Sequence, residues 1–469
     1  MTAPERAVRQ TDDKKATGKA DGGQRESSTP AGLLSSLQRS VGNQAVNRLV
    51  SSWSPPAATP GKAGTAGTLP LQRFTEGQRK KILLDIATPT GLSRQVTKHG
   101  AAKILGGIGV GADLITGVVK IFPAYNKLTS AHRKCLERLV EAAPESEAAL
   151  LLACTEKRFG LDLTTASTEG AASSWSGKAL KRMFPVLRAL PYQHRSKNRV
   201  LELLSHYEGS GGYYQIGRNE AALASKDSEV ATLDDSWDVG GTPLAGVNFF
   251  DSTVRHEVGH AVDAEIGWSA GHASESKRGG WKDYQVNHAA AVDDMLAEGS
   301  RGAIGLMGTA RKASMRQILI DALANGSVAQ IANSVGALPW FTSMQPQNKQ
   351  KMLDDILADP IVAAITKGLD DPWYNHPDDP PVVGSHVYQR SYPAAFWVRY
   401  ERAARNRLVS KYQFRAPGEW FAEVYAAYYR QDGRKKKGER LARFDSDTKA
   451  WFDKNVDTGY KGGKRKTWK

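Results

Sequence analysis

The stretch Val254-Arg255-His256-Glu257-Val258-Gly259-His260 sets the expectation for the fold, because it carries the pattern H-E-x-x-H. Residues four apart on an α-helix share a face, so His256 and His260 can both reach one Zn²⁺ at about 2.0–2.1 Å. Glu257 lies next to them, where its carboxylate can take a proton from water held at the metal. The stretch therefore predicts a helix that bears the site of a zinc hydrolase, most simply a protease.

The residues around this stretch also favour a helix. Asp251 and Ser252 are candidate N-caps, and Gly267 can end the helix. Apolar residues recur at helical spacing in between: Val254, Val258, Ala261, Val262 and Ile266. The alternative is a helix with two incidental histidines. With 10 histidines in 469 residues, chance gives the pattern in roughly one such chain in a hundred, so the metal site is the favoured interpretation.

A catalytic zinc needs a third protein ligand and an open position for water. Ile266, six residues after His260, cannot bind metal, which argues against the extended pattern H-E-x-x-H-x-x-G-x-x-H. The downstream residues Glu419 and Glu423 offer two carboxylates one helical turn apart. One can bind the metal while the other hydrogen-bonds a ligand histidine, and we assign Glu419 to the metal and Glu423 to the histidine. The alternative is a pair of solvated acids on an amphipathic helix.

These segments resemble a known family. The segment 256–263 (HEVGHAVD), followed far downstream by Tyr412 and the segment 419–423 (EWFAE), resembles the catalytic domain of anthrax lethal factor and related bacterial zinc endopeptidases. The resemblance implies that zinc is bound by His256, His260 and Glu419. It also implies that Glu257 is the general base and that Tyr412 donates a hydrogen bond to the oxyanion. His260 and Glu419 are separated by a longer insert than is usual in that family.

A second resemblance lies near the N-terminus. The segment 37–49 (LQRSVGNQAVNRL) resembles a leader found in bacterial proteins encoded with extracellular contractile injection systems, which are cargo and often toxins. The resemblance implies that particle components are partners, contacted through residues 32–50. The first residues contain no apolar core of a signal peptide, so we expect synthesis in the cytoplasm and export within an injection particle, to the exterior or into a target cell.

Composition limits the other possibilities. Cys135 and Cys154 are too few for a disulfide framework and lack Cys-x-x-Cys spacing, which leaves two free thiols or one optional bridge. The net charge of +15 is densest in residues 434–437 and 461–469. A role on nucleic acid or an anionic membrane is one interpretation of this charge. A solvated tail is the favoured one, and no nucleic-acid partner is expected, because no nucleic-acid-binding fold signature accompanies the charge.

The predicted fold class is α+β and mainly helical. We expect a zincin-type metalloprotease domain with a small sheet and an active-site helix, preceded by a helical domain and a disordered leader. The boundaries are a leader at 1–73 with an amphipathic helix at 32–50, a helical domain at 74–165, the metalloprotease domain at 170–456, a helical insert within it at 268–410, and a basic tail at 457–469.

Within these domains, shorter patterns predict individual elements. Residues 213–216 (YYQI) predict a strand, and as an edge strand it is our candidate for main-chain pairing with an extended substrate. An ordinary buried strand is the alternative. The insert is predicted to contain helices at 313–324, 350–358 and 394–408.

The predicted function is that of a zinc-dependent endopeptidase, an effector toxin loaded into a contractile injection system that cleaves proteins in a target cell. One alternative is a membrane-active toxin that uses the Gly-rich residues 100–122. Its uncharged run before Asp113 has only nine residues, far short of a membrane span, which disfavours this alternative. The other is a structural or loading component of an injection particle, whose zinc domain is inactive or cleaves only itself.

Overall fold

The computed structural model describes residues 122–168, 174–228, 248–325, 329–370, 380–391, 396–407, 409–410, 412–430 and 437–462. The predicted leader at 1–73, the Gly-rich run up to residue 121 and the basic residues 463–469 lie outside the described residues. The described residues are mainly helical, with two small sheets. None of the described helices combines the length and hydropathy that a membrane span requires.

The described chain begins with helices. Their bounds are Ser130–Ala142 (α1), Ala148–Phe159 (α2), Gly177–Ala189 (α3) and Tyr192–Ser196 (α4). Cys135 on α1 and Cys154 on α2 are buried free thiols, and burial raises the pKa of each to about 12. Thiols held in this protonated form are poor nucleophiles and poor metal ligands.

A three-stranded sheet follows, with strands Leu203–His206 (β1), Gly212–Gln215 (β2) and Glu220–Leu223 (β3). β3 is central and pairs parallel with β1 and antiparallel with β2. β2 therefore confirms the predicted strand near 213–216 and lies at an edge of this sheet. Its four residues are half-buried, whereas those of β3 are fully buried.

The helix that carries H-E-x-x-H is Phe249–Ile266 (α5). The predicted N-caps Asp251 and Ser252 are wrong, because the side chain of Asn248 accepts from the backbone N–H of Asp251 at 3.3 Å and starts the helix earlier. Asp251 instead lies in the first turn and forms an ion pair with Arg182 at 2.7 Å. Gly267, with φ +68°, ends the helix as predicted.

The segment after α5 adds seven helices and four strands among its described residues. In chain order they are Trp268–Gly271 (α6), Lys282–Gln285 (β4), His288–Glu298 (α7), Thr309–Asn325 (α8), Ala329–Gly336 (α9), Pro339–Thr342 (α10), Pro346–Leu357 (α11), Pro360–Asp370 (α12), Val382–Val383 (β5), His386–Arg390 (β6) and Trp397–Glu401 (β7). The strands form an antiparallel sheet in the order β4-β7-β6-β5. The helices predicted at 313–324 and 350–358 are confirmed by α8 and α11.

The helix predicted at 394–408 is wrong. Its described residues form β7 and then a 3₁₀ turn at Arg402–Arg407. β7 lies in the middle of the sheet, where Trp397, Val398 and Tyr400 are buried. Aromatic and β-branched side chains fit such a pleated, covered surface, and this packing outweighs the helical propensity of the flanking alanines and arginines.

The described chain closes with helices Pro417–Tyr429 (α13), Glu439–Phe444 (α14) and Ser446–Phe452 (α15), and a π-helical turn at Asp453–Asp457. Two large hydrophobic cores result. The larger contains buried residues of α1–α3, α5 and α13, among them Leu151, Phe184, Val258 and Phe421. The second lies within the insert and includes Leu319, Ile365, Tyr388 and Trp397. The helices before residue 190 thus share a core with the helix that bears the predicted site.

Candidate metal centre

The site lies where α5 and α13 pack against each other. Gly259 allows their close approach: a Cβ at this position would lie 3.0 Å from Cα of Ala422, a tighter contact than most Cβ atoms make. Next to this contact the rings of Trp268 and Trp420 stack with centroids 4.8 Å apart. This packing brings the histidines of one helix opposite the carboxylates of the other.

Three ligand-type atoms converge there. The Nε2 atoms of His256 and His260 are 3.0 Å apart. Oε2 of Glu419 lies 3.0 Å from the first and 3.4 Å from the second. Ligands that bind one ion tetrahedrally at about 2.0–2.1 Å are separated by roughly 3.3 Å, which is close to these distances.

The surroundings also favour a cation at this point. His256 and Glu419 are buried, and His260 is half-buried. Oε2 of Glu419 has no hydrogen-bond partner of good geometry among the described residues, although it is shielded from solvent. A buried carboxylate oxygen in that situation is costly unless a cation compensates it. The three side chains could hold a metal ion.

Glu423 has a different role from Glu419. Its Oε1 lies 2.6 Å from Nδ1 of His256, on the side of the ring that faces away from the converging atoms. A carboxylate can only accept, so Nδ1 carries the proton and Nε2 keeps its lone pair for a metal. This arrangement corresponds to the roles that the sequence assigns to Glu419 and Glu423.

The pKa values of His256 and Glu419 reflect the contacts between the histidines and the carboxylates. Burial lowers the pKa of His256, but the contacts with Glu419 and Glu423 outweigh burial and raise it above the ordinary histidine value. Burial raises the pKa of Glu419, yet the adjacent His260 and His256 hold it well below the ordinary carboxyl value. Glu419 is therefore held as a carboxylate that faces the two imidazoles, and a bound cation would stabilise it in the same way.

Glu257 lies beside the group and is almost completely buried. Burial raises its pKa to about 7, partly offset by His256 and His260. A carboxyl group with a pKa near neutrality can both take and return a proton, as a general base must. β2 covers this side chain: a Cβ on Gly212 would lie 2.7 Å from Oε1 of Glu257, so the glycine makes room for it.

Two tyrosines flank the histidines. The ring of Tyr412 meets that of His256 edge-on, with centroids 5.7 Å apart. Its hydroxyl oxygen accepts a hydrogen bond from Nη1 of Arg415 at 2.6 Å. The ring of Tyr214 on β2 stacks on that of His260 with centroids 6.4 Å apart, and its hydroxyl group donates to the carbonyl of Val200 at 2.7 Å.

All six residues singled out in the sequence are thus brought together: His256, Glu257, His260, Tyr412, Glu419 and Glu423. Sequence reasoning did not identify Gly212, Tyr214 or Arg415 as parts of this site. The strand pattern at residues 213–216 was visible, but nothing in it tied Gly212 to Glu257 or Tyr214 to His260. Arg415 is one of many basic residues in the chain and had no distinguishing signal.

Comparison of the chain with models of known protein families, with curated proteins and with solved structures found no match.

Proposed function

We propose that this protein is a zinc-dependent endopeptidase with a zincin-type catalytic domain similar to that of anthrax lethal factor. The observation that carries the proposal is the convergence of His256, His260 and Glu419, with the buried Glu257 beside them. Two imidazoles and one carboxylate form the ligand set of many catalytic zinc sites, and they leave a fourth position open. This ligand set, together with the H-E-x-x-H pattern that places Glu257 beside it, supports zinc as the metal.

The chain's own residues supply the remaining chemistry. Zinc, when bound, polarises the scissile carbonyl and acidifies water. Glu257 accepts the proton of the attacking water and later delivers it to the leaving amine. Tyr412 donates a hydrogen bond to the carbonyl oxygen as negative charge develops there. Glu423 keeps His256 in the tautomer that a ligand requires.

The edge of the small sheet supports an extended peptide as substrate. β2 pairs with β3 along one side, and its residues Gly212 and Tyr214 border Glu257 and His260. A peptide that added to the outer side of β2 would pair through its main chain and pass the site. Such pairing selects an extended conformation rather than a particular side chain.

Cleavage of a broad peptide library by the purified, zinc-loaded protein tests the proposal. We expect Glu257→Gln to bind about one zinc per chain and to lose activity by roughly 10²- to 10⁴-fold, because only the general base is removed. His256→Ala should lose both zinc and cleavage. The matched control is His272→Ala, since His272 is a half-exposed histidine that pairs with Glu275 at 2.7 Å.

Three results would contradict the proposal. Cleavage that persists in Glu257→Gln would refute the mechanism. Wild-type protein that binds zinc and cleaves nothing but itself would favour a structural or loading component, and dye release from anionic vesicles that survives Glu257→Gln would favour a membrane-active toxin.

We further propose that the protein is toxin cargo of a contractile injection system. This rests on the leader resemblance at residues 37–49, outside the described residues. Deletion of residues 32–50 is expected to abolish co-purification with the particles while leaving zinc content and peptide cleavage unchanged. Undiminished loading of the deletion variant would overturn this part of the proposal.

A further inference from the structure

The turn that carries Tyr412 is held by its own side chains. Oε1 of Gln413 accepts from the backbone N–H groups of Val409 and Ser410 at 2.6 and 3.1 Å. The N–H of Gln413 in turn donates to Oγ of Ser410 at 3.1 Å. Gln413 and Ser410 are fully buried, so these hydrogen bonds are shielded from solvent and stabilise the backbone beside Tyr412.

Arg415 lies directly on the phenol of Tyr412. Its guanidinium carbon is 5.3 Å from the ring centroid, and Nη1 is 2.6 Å from the hydroxyl oxygen. The arginine is only 3% exposed, although it carries a permanent charge. A guanidinium group can only donate, so the phenol oxygen accepts this bond and the phenol proton must point elsewhere.

The second sheet also contacts the backbone that carries Arg415. The side-chain amide of Gln389, on β6, donates to the backbone carbonyls of Phe414 and Arg415, the latter at 3.3 Å. Gln389 is buried, and β6 is paired on both sides, with β5 and β7. The insert thereby reaches the backbone next to Tyr412.

We propose that Arg415 is a positioning residue for the hydrolytic step, acting through Tyr412. Its guanidinium group donates to a lone pair of the phenol oxygen. This bond orients the hydroxyl group so that the phenol proton points towards the substrate carbonyl oxygen. Because this role presupposes that Tyr412 donates to an oxyanion, it rests on the proposed endopeptidase function. Arg415 touches neither the substrate nor the reacting atoms.

A double-mutant cycle measures the dependence on Tyr412. Tyr412→Phe should lower kcat by about 10²- to 10³-fold, the usual loss for one oxyanion donor. Arg415→Met should lower kcat by roughly 10- to 100-fold with KM within about twofold, since a misaligned donor loses part of its effect. In the Tyr412→Phe background, Arg415→Met should cause no further loss in kcat. Arg415→Lys, which keeps one donor and the charge, should restore part of the activity.

A spectroscopic measurement tests the same contact without relying on cleavage. 3-Fluorotyrosine placed at position 412 reports the surroundings of the ring by ¹⁹F NMR. We expect one narrow line in the full chain, and a shifted and broadened line after Arg415→Met. The matched control is Arg158→Met, which removes a comparably buried arginine whose partner is Glu137 on α1. Melting temperatures of all variants identify any that fail to fold.

The outcomes separate this inference from the proposed function. If the wild type cleaves peptides through Glu257 but the losses at 412 and 415 add independently, the role of Arg415 is wrong and the endopeptidase stands. If no peptide is cleaved, the endopeptidase fails and the positioning role fails with it. An unchanged ¹⁹F line in folded Arg415→Met shows that Arg415 does not hold the ring, whatever the activity.

Discussion

The position of the Glu257 carboxylate depends on a neighbouring glycine, Gly212. Gly212 on β2 leaves the space that the carboxylate of Glu257 occupies, and it limits contact of that carboxylate with solvent. Burial is the main cause of the raised pKa of Glu257. β2 therefore leaves the space that Glu257, the proposed general base, occupies, and it contributes to the burial that raises the pKa of this carboxyl group.

Gly212→Ala tests this dependence. The new Cβ would lie 2.7 Å from Oε1 of Glu257 and from Cγ2 of Thr253, so the flexible end of Glu257 must move. We expect kcat to fall by roughly 10- to 100-fold, since small displacements of a catalytic group have effects of that size. Zinc content should stay at the wild-type level, because no ligand is contacted. Peptide cleavage and zinc content are measured on the same preparation of Gly212→Ala.

The control for this change is Gly217→Ala. A Cβ at Gly217 would meet nothing within 4 Å, and the residue follows the same strand. It should leave kcat unchanged. Full activity in Gly212→Ala would show that Glu257 does not need the space above it.

The roles proposed for these residues were predicted from their chemistry and spacing in the sequence. Two histidines four apart and a neighbouring glutamate are a dense local signal, because one helical turn alone fixes their geometry. Glu419 could be paired with them only by analogy, since no local rule joins residues 159 positions apart. Arg415 and Gly212 could not be predicted, because they contact Tyr412 and Glu257 only in the folded chain and lie in no recognisable sequence pattern.

At the scale of elements, the two site helices are brought together by packing rather than by proximity in the chain. α5 ends at Ile266 and α13 begins at Pro417, with the insert in between. The close contact of Gly259 with Ala422 and the stacked Trp268 and Trp420 make the approach possible. A long insert can separate two ligands without disturbing them when the helices that carry them share a core of their own.

The insert illustrates which elements a sequence predicts. Its helices α8 and α11 were predictable because long runs of helix-forming residues act locally. β7 was mistaken for a helix because its partners β4 and β6 lie elsewhere in the chain, and strand pairing is a long-range property. The N-cap of α5 was misplaced by three or four residues, since Asn248, Asp251 and Ser252 are all good caps and only the folded chain selects one.

At the scale of the whole molecule, His194 joins three parts of the larger core. It lies on α4 and is fully buried. Its Nε2 donates to the carbonyl of Val456 at 3.1 Å, near the end of the described chain. A carbonyl can only accept, so Nε2 carries the proton, and Nδ1 accepts from the hydroxyl of Tyr425 on α13 at 2.9 Å. The neutral imidazole therefore satisfies both partners and ties α4 and the C-terminal turn to the helix that bears Glu419.

This arrangement makes the fold sensitive to acid. Burial lowers the pKa of His194 from 6.5 to about 4. Above pH 6.5 both the folded and the unfolded chain hold the neutral ring, and its contribution to stability is fully present. Between pH 6.5 and 4 only the unfolded chain takes up the proton, so the free energy of unfolding falls as the pH falls. At about 1.4 kcal/mol per pKa unit, the loss is about 3 kcal/mol at pH 4 and levels off just below it, where the folded chain also takes up the proton.

His194→Gln removes this titration while keeping one donor and one acceptor for the same partners. Urea unfolding at pH 7.5 and pH 4.5, with a chelator present so that loss of metal does not contribute, gives the free energy of unfolding of each protein. We expect the wild type to lose about 2 to 3 kcal/mol more than His194→Gln between the two pH values. The half-exposed His272 provides the control, because His272→Gln should keep the acid sensitivity of the wild type. If wild type and His194→Gln lose stability in parallel, His194 is not the group that limits acid stability, and the tie between α4, α13 and the C-terminal turn does not depend on a neutral ring.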